Sequence, residues 1–362
     1  MRVLVMGGTQ FNGLALVREL VRTGHEVTVL NRGKSEARLP ADTARLFADR
    51  TDVSTLREVL GGLDVDAVVD VSAYRPEDVA PMVEIFRGRI AHYVFISSTV
   101  IYAASDRLPI REDHPVDRSE RQNEYARNKL LCEDILVREW RERRFPATTV
   151  ALSMVFGPHN ILPDREQRMF QRLLRGREIL IPGDGTTLQQ IGHVDDQARA
   201  LRMLLGQPVS FGERYSLTGQ EYFTQAGYVD TFGAVLGIEP RKVFIPPAVM
   251  EDLWAGRIAI ELPRPTARAE IRARERPDPV QLNRFMLSML VQQLAPHIHS
   301  WNHSVVFSVD KLRRHTGWEP EYGLRAAVEQ TWDWYQSEGL HETQDFNFGF
   351  EDQLLEIVKA RS

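Results

Sequence analysis

The sequence predicts an α/β fold, a doubly wound parallel sheet followed by a smaller C-terminal lobe, and three observations predict it. A short apolar strand at the start of the chain runs into a glycine-rich turn and an amphipathic helix. Short β-rich apolar runs then alternate with helical patterns through the first half, which argues for parallel strands with helices on both faces. Past Gly157-Pro158 the alternation stops and a different pattern takes over.

Arg2-Val3-Leu4-Val5 reads as the first strand, and Met6-Gly7-Gly8-Thr9-Gln10-Phe11-Asn12-Gly13 as the turn after it. Leu14, Val17, Leu20 and Val21 recur at helical spacing. Gly24-His25 ends that helix, and Glu26-Val27-Thr28-Val29-Leu30 is the next strand, which completes a βαβ unit. A strand that ends in glycines and opens a helix is a site for the diphosphate of a dinucleotide. The glycines let backbone amides approach the phosphates, and the helix N-terminus supplies partial positive charge. Next come a strand at Leu46-Phe47, a helix near Val53–Leu60, a strand over Ala67–Val71 and a helix near Val79–Phe86. Tyr93–Ile96 follows as a strand, then a long helix from Glu124 to Glu142 and a strand over Thr148–Leu152.

Beyond Gly157, helical patterns lie near Met169–Leu174 and Asp195–Leu205, with a turn at Pro182-Gly183-Asp184-Gly185. The stretch Leu262–Pro279 is rich in Arg and Pro and reads as an exposed connection or lid. A final helix near Leu324–Tyr335 carries Trp332, Trp334 and Tyr335, which read as packing of the second lobe. The expected division is a cofactor-binding domain over residues 1–156, to which the chain returns around 186–212. A substrate-binding lobe over 157–185 and 213–345 and a C-terminal tail over 346–362 complete it, with the active site in the cleft between the two domains.

Composition bounds the function. A net charge of −5 over 362 residues, with 26% charged side chains, gives no general attraction to nucleic acid or to anionic membranes. Cys132 is the only cysteine, so no intrachain disulfide forms and a reducing compartment is expected. The first strand begins at residue 2 and no apolar run approaches membrane-spanning length. The expectation is a soluble, cytoplasmic protein with no membrane partner.

Chemistry concentrates after the strand Phe95-Ile96, where Ser97-Ser98-Thr99-Val100-Ile101-Tyr102 follows, and then in the helix carrying Tyr125-Ala126-Arg127-Asn128-Lys129. Tyr125 and Lys129 are four apart and emerge on one helix face. A tyrosine titrates near pH about 10 and is a poor base at neutrality, but an ammonium beside it favours the phenolate. Ser98 is placed to hydrogen-bond the oxygen whose proton Tyr125 exchanges. A Tyr and a Lys at this spacing also occur on solvated faces; the glycine turn and Ser98 in the expected order favour the functional reading.

On these motifs the chain resembles the extended short-chain dehydrogenase/reductase family, the group of NAD(P)-dependent nucleotide-sugar epimerases, dehydratases and reductases. The resemblance covers nearly the whole chain and implies a Rossmann-type sheet. Ser98 aligns with the catalytic Ser/Thr, and Tyr125 with Lys129 aligns with the Tyr-x-x-x-Lys pair. Asp49, in Ala48-Asp49-Arg50-Thr51-Asp52, matches the residue that contacts adenine, and Ser72-Ala73 the small residues lining the cofactor. Gly157-Pro158, His193-Val194-Asp195-Asp196 and Gly317-Trp318-Glu319-Pro320 match further motifs. The implied cofactor contacts are Gly7, Gly8, Thr9, Gln10, Phe11, Gly13, Asn31, Arg32, Asp49, Arg50, Ser72, Ala73, Tyr125 and Lys129. The implied substrate contacts are Ser98, Thr99, Asn160, Arg168 and Gln190, toward a sugar-like, nucleotide-linked small molecule. Relatives dimerise through two helices per subunit, so a homodimer using the helix of Tyr125 is a candidate.

Three departures refine this. Gln10 replaces the middle glycine of the usual turn, as in an atypical branch that includes plastid stem-loop RNA-binding proteins. That branch keeps an RNA-binding or non-catalytic role open as the alternative, although the acidic balance and the full Ser-Tyr-Lys set disfavour a nucleic-acid partner. The second strand ends in Asn31-Arg32-Gly33-Lys34 rather than in an acid, which suits the 2′-phosphate of NADP over NAD, unless Arg32 and Lys34 merely lie on a solvated loop. Thr99 and Val100 replace the Asp-Glu of dehydratases, so 4,6-dehydration and, for a similar reason, decarboxylation are disfavoured.

Gln190-Ile191 stands where relatives place a diphosphate-binding arginine. Arg168, Arg172, Arg175 and Arg177, or the arginines of 264–276, are its possible replacements or else solvated charges. His297, His299 and His303 lack a completing ligand, and no metal is expected.

Overall fold

The computed structural model describes residues 1–34, 38–120, 122–255, 257–260 and 302–361. They fall into two compact units, one of residues 1–161, 190–221 and 306–323, the other of 162–189, 222–305 and 324–362.

The first unit is built on a seven-stranded parallel sheet. Its strands are β1 (Arg2–Met6), β2 (Glu26–Asn31), β3 (Ala44–Phe47), β4 (Ala67–Asp70), β5 (His92–Ser98), β6 (Ala147–Leu152) and the strand Arg214–Leu217. Their order is Arg214–Leu217, β6, β5, β4, β1, β2, β3, the doubly wound order in which ligands sit outside the carboxyl ends where the winding reverses. Register aligns those ends. Met6 pairs with both Leu30 and Asp70, Asn31 with Phe47, Asp70 with Phe95, and Ser98 with Leu152.

Strand periodicity explains why both faces are covered. Along β1, Val3 and Val5 pack into one core with Leu16, Val17 and Leu20 of α1 (Phe11–Arg22) and Leu201 and Leu204 of the helix Val194–Leu204. Leu4 and Met6 pack into the other, with Leu56 and Leu60 of α2 (Val53–Gly61), Met82 and Phe86 of α3 (Pro76–Phe86), and Cys132 and Leu136 of α4 (Glu124–Arg143). The parallel sheet and its helices agree with the expected fold class.

The boundaries differ from expectation in more than one respect: residues 157–161 and 213–221, expected in the smaller lobe, fall in the first unit. Residues 306–323, also expected in the smaller lobe, belong to the first unit as well. Val309, Leu312 and Trp318 enter its core, and the Trp318 indole N–H donates to the Asp196 carbonyl at 3.0 Å. The Asp196 carboxylate accepts from the backbone N–H groups of Glu321 and Tyr322, and His193 stacks on Tyr322 at 3.8 Å between ring centres. The His-Val-x-Asp segment thus anchors the Gly-Trp-Glu-Pro segment.

The second unit pairs strands Glu178–Pro182 and Arg241–Ile245 in parallel. Phe170 of α5 (Glu166–Leu174) packs against Phe232, Trp332 and Tyr335 at 5.0–5.3 Å between ring centres. Residues 346–362, expected as a tail, instead contribute the helix Gly349–Arg361, whose Phe350, Leu354 and Val358 are buried in this unit's core. Among the described residues, no helix is long and apolar enough to cross a membrane.

Candidate active site

The turn between β1 and α1 is shaped by close backbone contact. Gly7 has φ +87°, and a Cβ there would lie 2.8 Å from Cβ of Ser72. At Gly13 a Cβ would stand 2.1 Å from the Gly7 carbonyl oxygen, and at Gly8 it would meet Val17 and Val29 at 2.9 Å. Only glycine lets α1 start this near the end of β1, with its N-terminus at the carboxyl edge of the sheet. Gln10 is exposed in extended backbone as the N-cap and makes no side-chain cap bond, Phe11 follows with φ +38°, and Thr9 is buried. In the first turn the Asn12 side-chain oxygen is buried with no protein partner. A cradle that Cβ atoms would fill and a helix N-terminus together fit a dinucleotide diphosphate.

Asn31 ends β2, and Arg32 and Asp49 lie just past the ends of β2 and β3. Asn31 accepts from the Gly33 amide through its side-chain oxygen, at 2.7 Å, while its side-chain NH₂ is buried without a protein partner. Asp49 is exposed and takes bonds from the Thr51 amide and hydroxyl; these, with the nearby charges of Arg32 and Lys34, hold its carboxyl below the usual range.

Lys129 is fully buried, and its ammonium donates to the carbonyls of Ala73 (2.6 Å) and Ile96 (2.7 Å), beyond β4 and inside β5. The rings of Tyr74, Phe95 and Tyr125 surround it at 4.7, 4.9 and 5.7 Å. Burial lowers its pKa to about 8. Tyr125, one turn earlier on α4, is 37% exposed and lies 6.0 Å from Tyr74 between ring centres. Ser98 ends β5 two residues past the carbonyl that Lys129 holds, and Thr99 is buried at the start of the short turn Thr99–Ile101. Gln122 donates to the Val100 carbonyl in that turn, and Asn123 caps α4 through the Ala126 amide. Lys129 thus joins the Tyr125 ring to Ala73 and to β5, the strand that Ser98 ends, while Ser72 packs against Gly7 of the glycine turn.

Three expected ligand contacts are engaged by the protein instead. Arg50, expected at the cofactor, turns inward and forms two hydrogen bonds with Asp70, at 2.8 and 2.9 Å. Gln190, expected at the substrate, is buried and accepts from the Phe307 amide while donating to the Gly219 and Phe307 carbonyls. It holds the returning segment as a backbone group would. Arg168, also expected at the substrate, is buried and bonds Glu351, Asp164 and the Asn347 carbonyl. In each case a long polar side chain found a partner far away in sequence. Asn160 is buried near the end of the first segment of unit one. His297, His299 and the arginines of 264–276 lie outside the described residues, and His303 is exposed beside Asn302.

Sequence reasoning missed Asp70, Tyr74 and Glu133. Asp70 was signalled by a lone acid inside an apolar strand. Glu133 continues the Tyr125–Lys129 spacing by four and is buried by bonds to Ser97 and Arg214; burial raises its pKa.

Residues 3–217 match the profile of the NAD dependent epimerase/dehydratase family. The chain is similar to the chloroplast stem-loop binding protein of 41 kDa b of Arabidopsis thaliana, 32% identical over 260 residues, covering 68% of this chain and 66% of that protein. It is also similar to the 2'-dehydrokanamycin reductase of Streptomyces kanamyceticus, 25% identical over 235 residues, covering 62% of this chain and 65% of that protein. The match thus spans just under two thirds of either relative. Among solved structures, a dTDP-glucose 4,6-dehydratase of Bacillus anthracis in complex with NAD shares the fold, with a TM-score of 0.70 at 15% identity over 94% of this chain and 98% of that one.

Proposed function

The chain belongs to the NAD-dependent epimerase/dehydratase family, and from that premise we propose an NAD(P)-dependent epimerase or reductase that exchanges hydride with a carbinol carbon of a sugar-like, nucleotide-linked substrate. The observation that carries this reading is Lys129 held between β4 and β5 with the Tyr125 ring 5.7 Å from its ammonium and Ser98 at the end of β5.

An ammonium has three donors. Two are spent on the Ala73 and Ile96 carbonyls, which leaves one for a ribose hydroxyl or the Tyr125 oxygen. In the oxidative direction the Tyr125 phenolate takes the hydroxyl proton as the carbinol C–H bond breaks, and the carbonyl forms against the Ser98 hydroxyl. A bound nicotinamide supplies the two-electron acceptor. Reduction runs the same proton back from Tyr125 to the oxygen. Thr99 and Val100 offer no acid–base pair for eliminating water, so the reading disfavours 4,6-dehydration.

Tyr125→Phe should abolish turnover and leave the dissociation constant for the dinucleotide within about twofold, followed by steady-state assay and by fluorescence titration. Retained turnover would reject the assignment. A 4-epimerase should purify with its dinucleotide bound and need none added, whereas a reductase should consume NADPH one for one.

For the cofactor we favour NADP. The partnerless Asn31 NH₂ and the Arg32 guanidinium are donor-only groups at the end of β2, suited to a 2′-phosphate. Arg32→Ala should weaken NADPH about tenfold and leave NADH unchanged; equal effects on both would assign NAD.

The stem-loop binding relative, together with Gln10, favours a second reading, an RNA-binding role. Filter binding of structured RNA with affinity falling steeply in salt would establish it, and the enzymatic reading expects none.

A further inference from the structure

We propose that Arg50 is a positioning residue for the dinucleotide, acting from beneath the site through Ser72; the inference rests on the cofactor reading above. The loop after β3 splits its side chains. Asp49 faces solvent, while Arg50, 12% exposed, runs under the end of β4. One guanidinium nitrogen of Arg50 bonds both Asp70 and the Ser72 hydroxyl, each at 2.8 Å. The other bonds Asp70 at 2.9 Å and the Asp78 carbonyl at 2.7 Å, and Nε lies 3.2 Å from the Asp78 carboxylate as an ion pair.

The acids are themselves fixed. Asp70, fully buried, accepts from the Tyr93 hydroxyl at 2.8 Å and from the Ser72 amide, and Asp78 accepts from the amides of Tyr74 and Arg75. Burial opposes charge on Arg50 and Asp70, yet their mutual attraction and hydrogen bonds prevail and keep both ionised.

This cluster has a geometric output. Ser72 is the residue against which Gly7 packs, and Gly7 in turn fills the space that a Cβ on Gly13 would need. A bond that sets the Ser72 side chain therefore sets the depth of the diphosphate turn. Lys129 grips the next carbonyl, Ala73, from its own side. Arg50 and Lys129 thus clamp Ser72-Ala73 from two directions, and Arg50 also tethers the loop bearing Asp49. Two charges on Asp70 and Asp78 against one on Arg50 give the cluster a net negative balance, so it serves as a support under the turn and not as a phosphate ligand.

The test is titration of the purified chain with NADPH, NADH and 5′-ADP, read by fluorescence, well below the unfolding midpoint of each variant. Arg50→Met should raise the dissociation constants for both dinucleotides about tenfold, as loss of outer-shell partners does at metal sites. Arg50→Lys should recover part of that loss, a rescue that general destabilisation would not give. Ser72→Ala removes only the hydroxyl and should weaken binding in the same direction without lowering the unfolding midpoint; it carries the test should Arg50→Met fail to fold. Parental constants in Ser72→Ala and in folded Arg50→Met, with the parent binding normally, would overturn the positioning role alone. A parent chain that binds no dinucleotide would overturn the cofactor reading and this inference with it.

Discussion

Lys129 is held by two carbonyls and three aromatic rings, with no carboxylate in its first contacts among the described residues. That environment sets a pH dependence whose sign can be worked out. Its pKa falls from 10.5 to about 8 on folding because burial penalises the ammonium. The penalty is full below pH 8, fades as pH rises toward 10.5 and is absent above. Between those limits, the unfolding free energy of the parent should rise on the order of 3 kcal/mol relative to Lys129→Met, measured by urea denaturation at several pH values; parallel curves would reject the shift. Function runs the other way. Once Lys129 loses its proton the Tyr125 phenolate is no longer favoured, so turnover should fall as pH climbs through 8, and a rate constant flat to pH 10 would contradict the role given to the pair.

At the scale of single elements, the turn from β1 into α1 was legible because its requirement is local. No side chain fits where Gly13 faces the Gly7 carbonyl, so the glycine itself is the signal. Gly13→Ala should cost about 1–3 kcal/mol and weaken dinucleotide binding at least as much as Arg50→Met; a neutral effect on both the midpoint and the titration would mean the turn can open. The spacing of Tyr125 and Lys129 was legible for the same reason, one turn of helix. Arg50, Gln190 and Arg168 were not, because an arginine or glutamine reads alike whether it meets a ligand or a partner 20, 117 or 183 residues away. On α5, Arg168 and Arg172 share the buried carboxylate of Glu351. Glu351→Gln leaves two buried guanidinium groups against that single lost charge and should destabilise the chain by about 3–5 kcal/mol, read by chemical denaturation.

Taken as a whole, the molecule showed its fold class more clearly than its boundaries. Alternating strands and helices announced the sheet, since each element's periodicity is carried by its own residues. The return of 306–323 to the first unit was hidden, because it is held by scattered long-range contacts: the bridge between Ile110 and Phe307, the Gln190 side chain, the Asp196 carboxylate on Glu321 and Tyr322, and the buried indole of Trp318. None of these leaves a period in the sequence.

That late return has a consequence for biosynthesis. A ribosome has already released the whole glycine-turn half, and much else besides, before it translates Trp318, the wedge that seals one flank of the sheet. Until then the nascent polypeptide carries an open apolar seam, so a protein stopped after residue 305 should be digested by trypsin far faster than the full chain, and excising residues 1–161 should yield insoluble material instead of a miniature nucleotide binder.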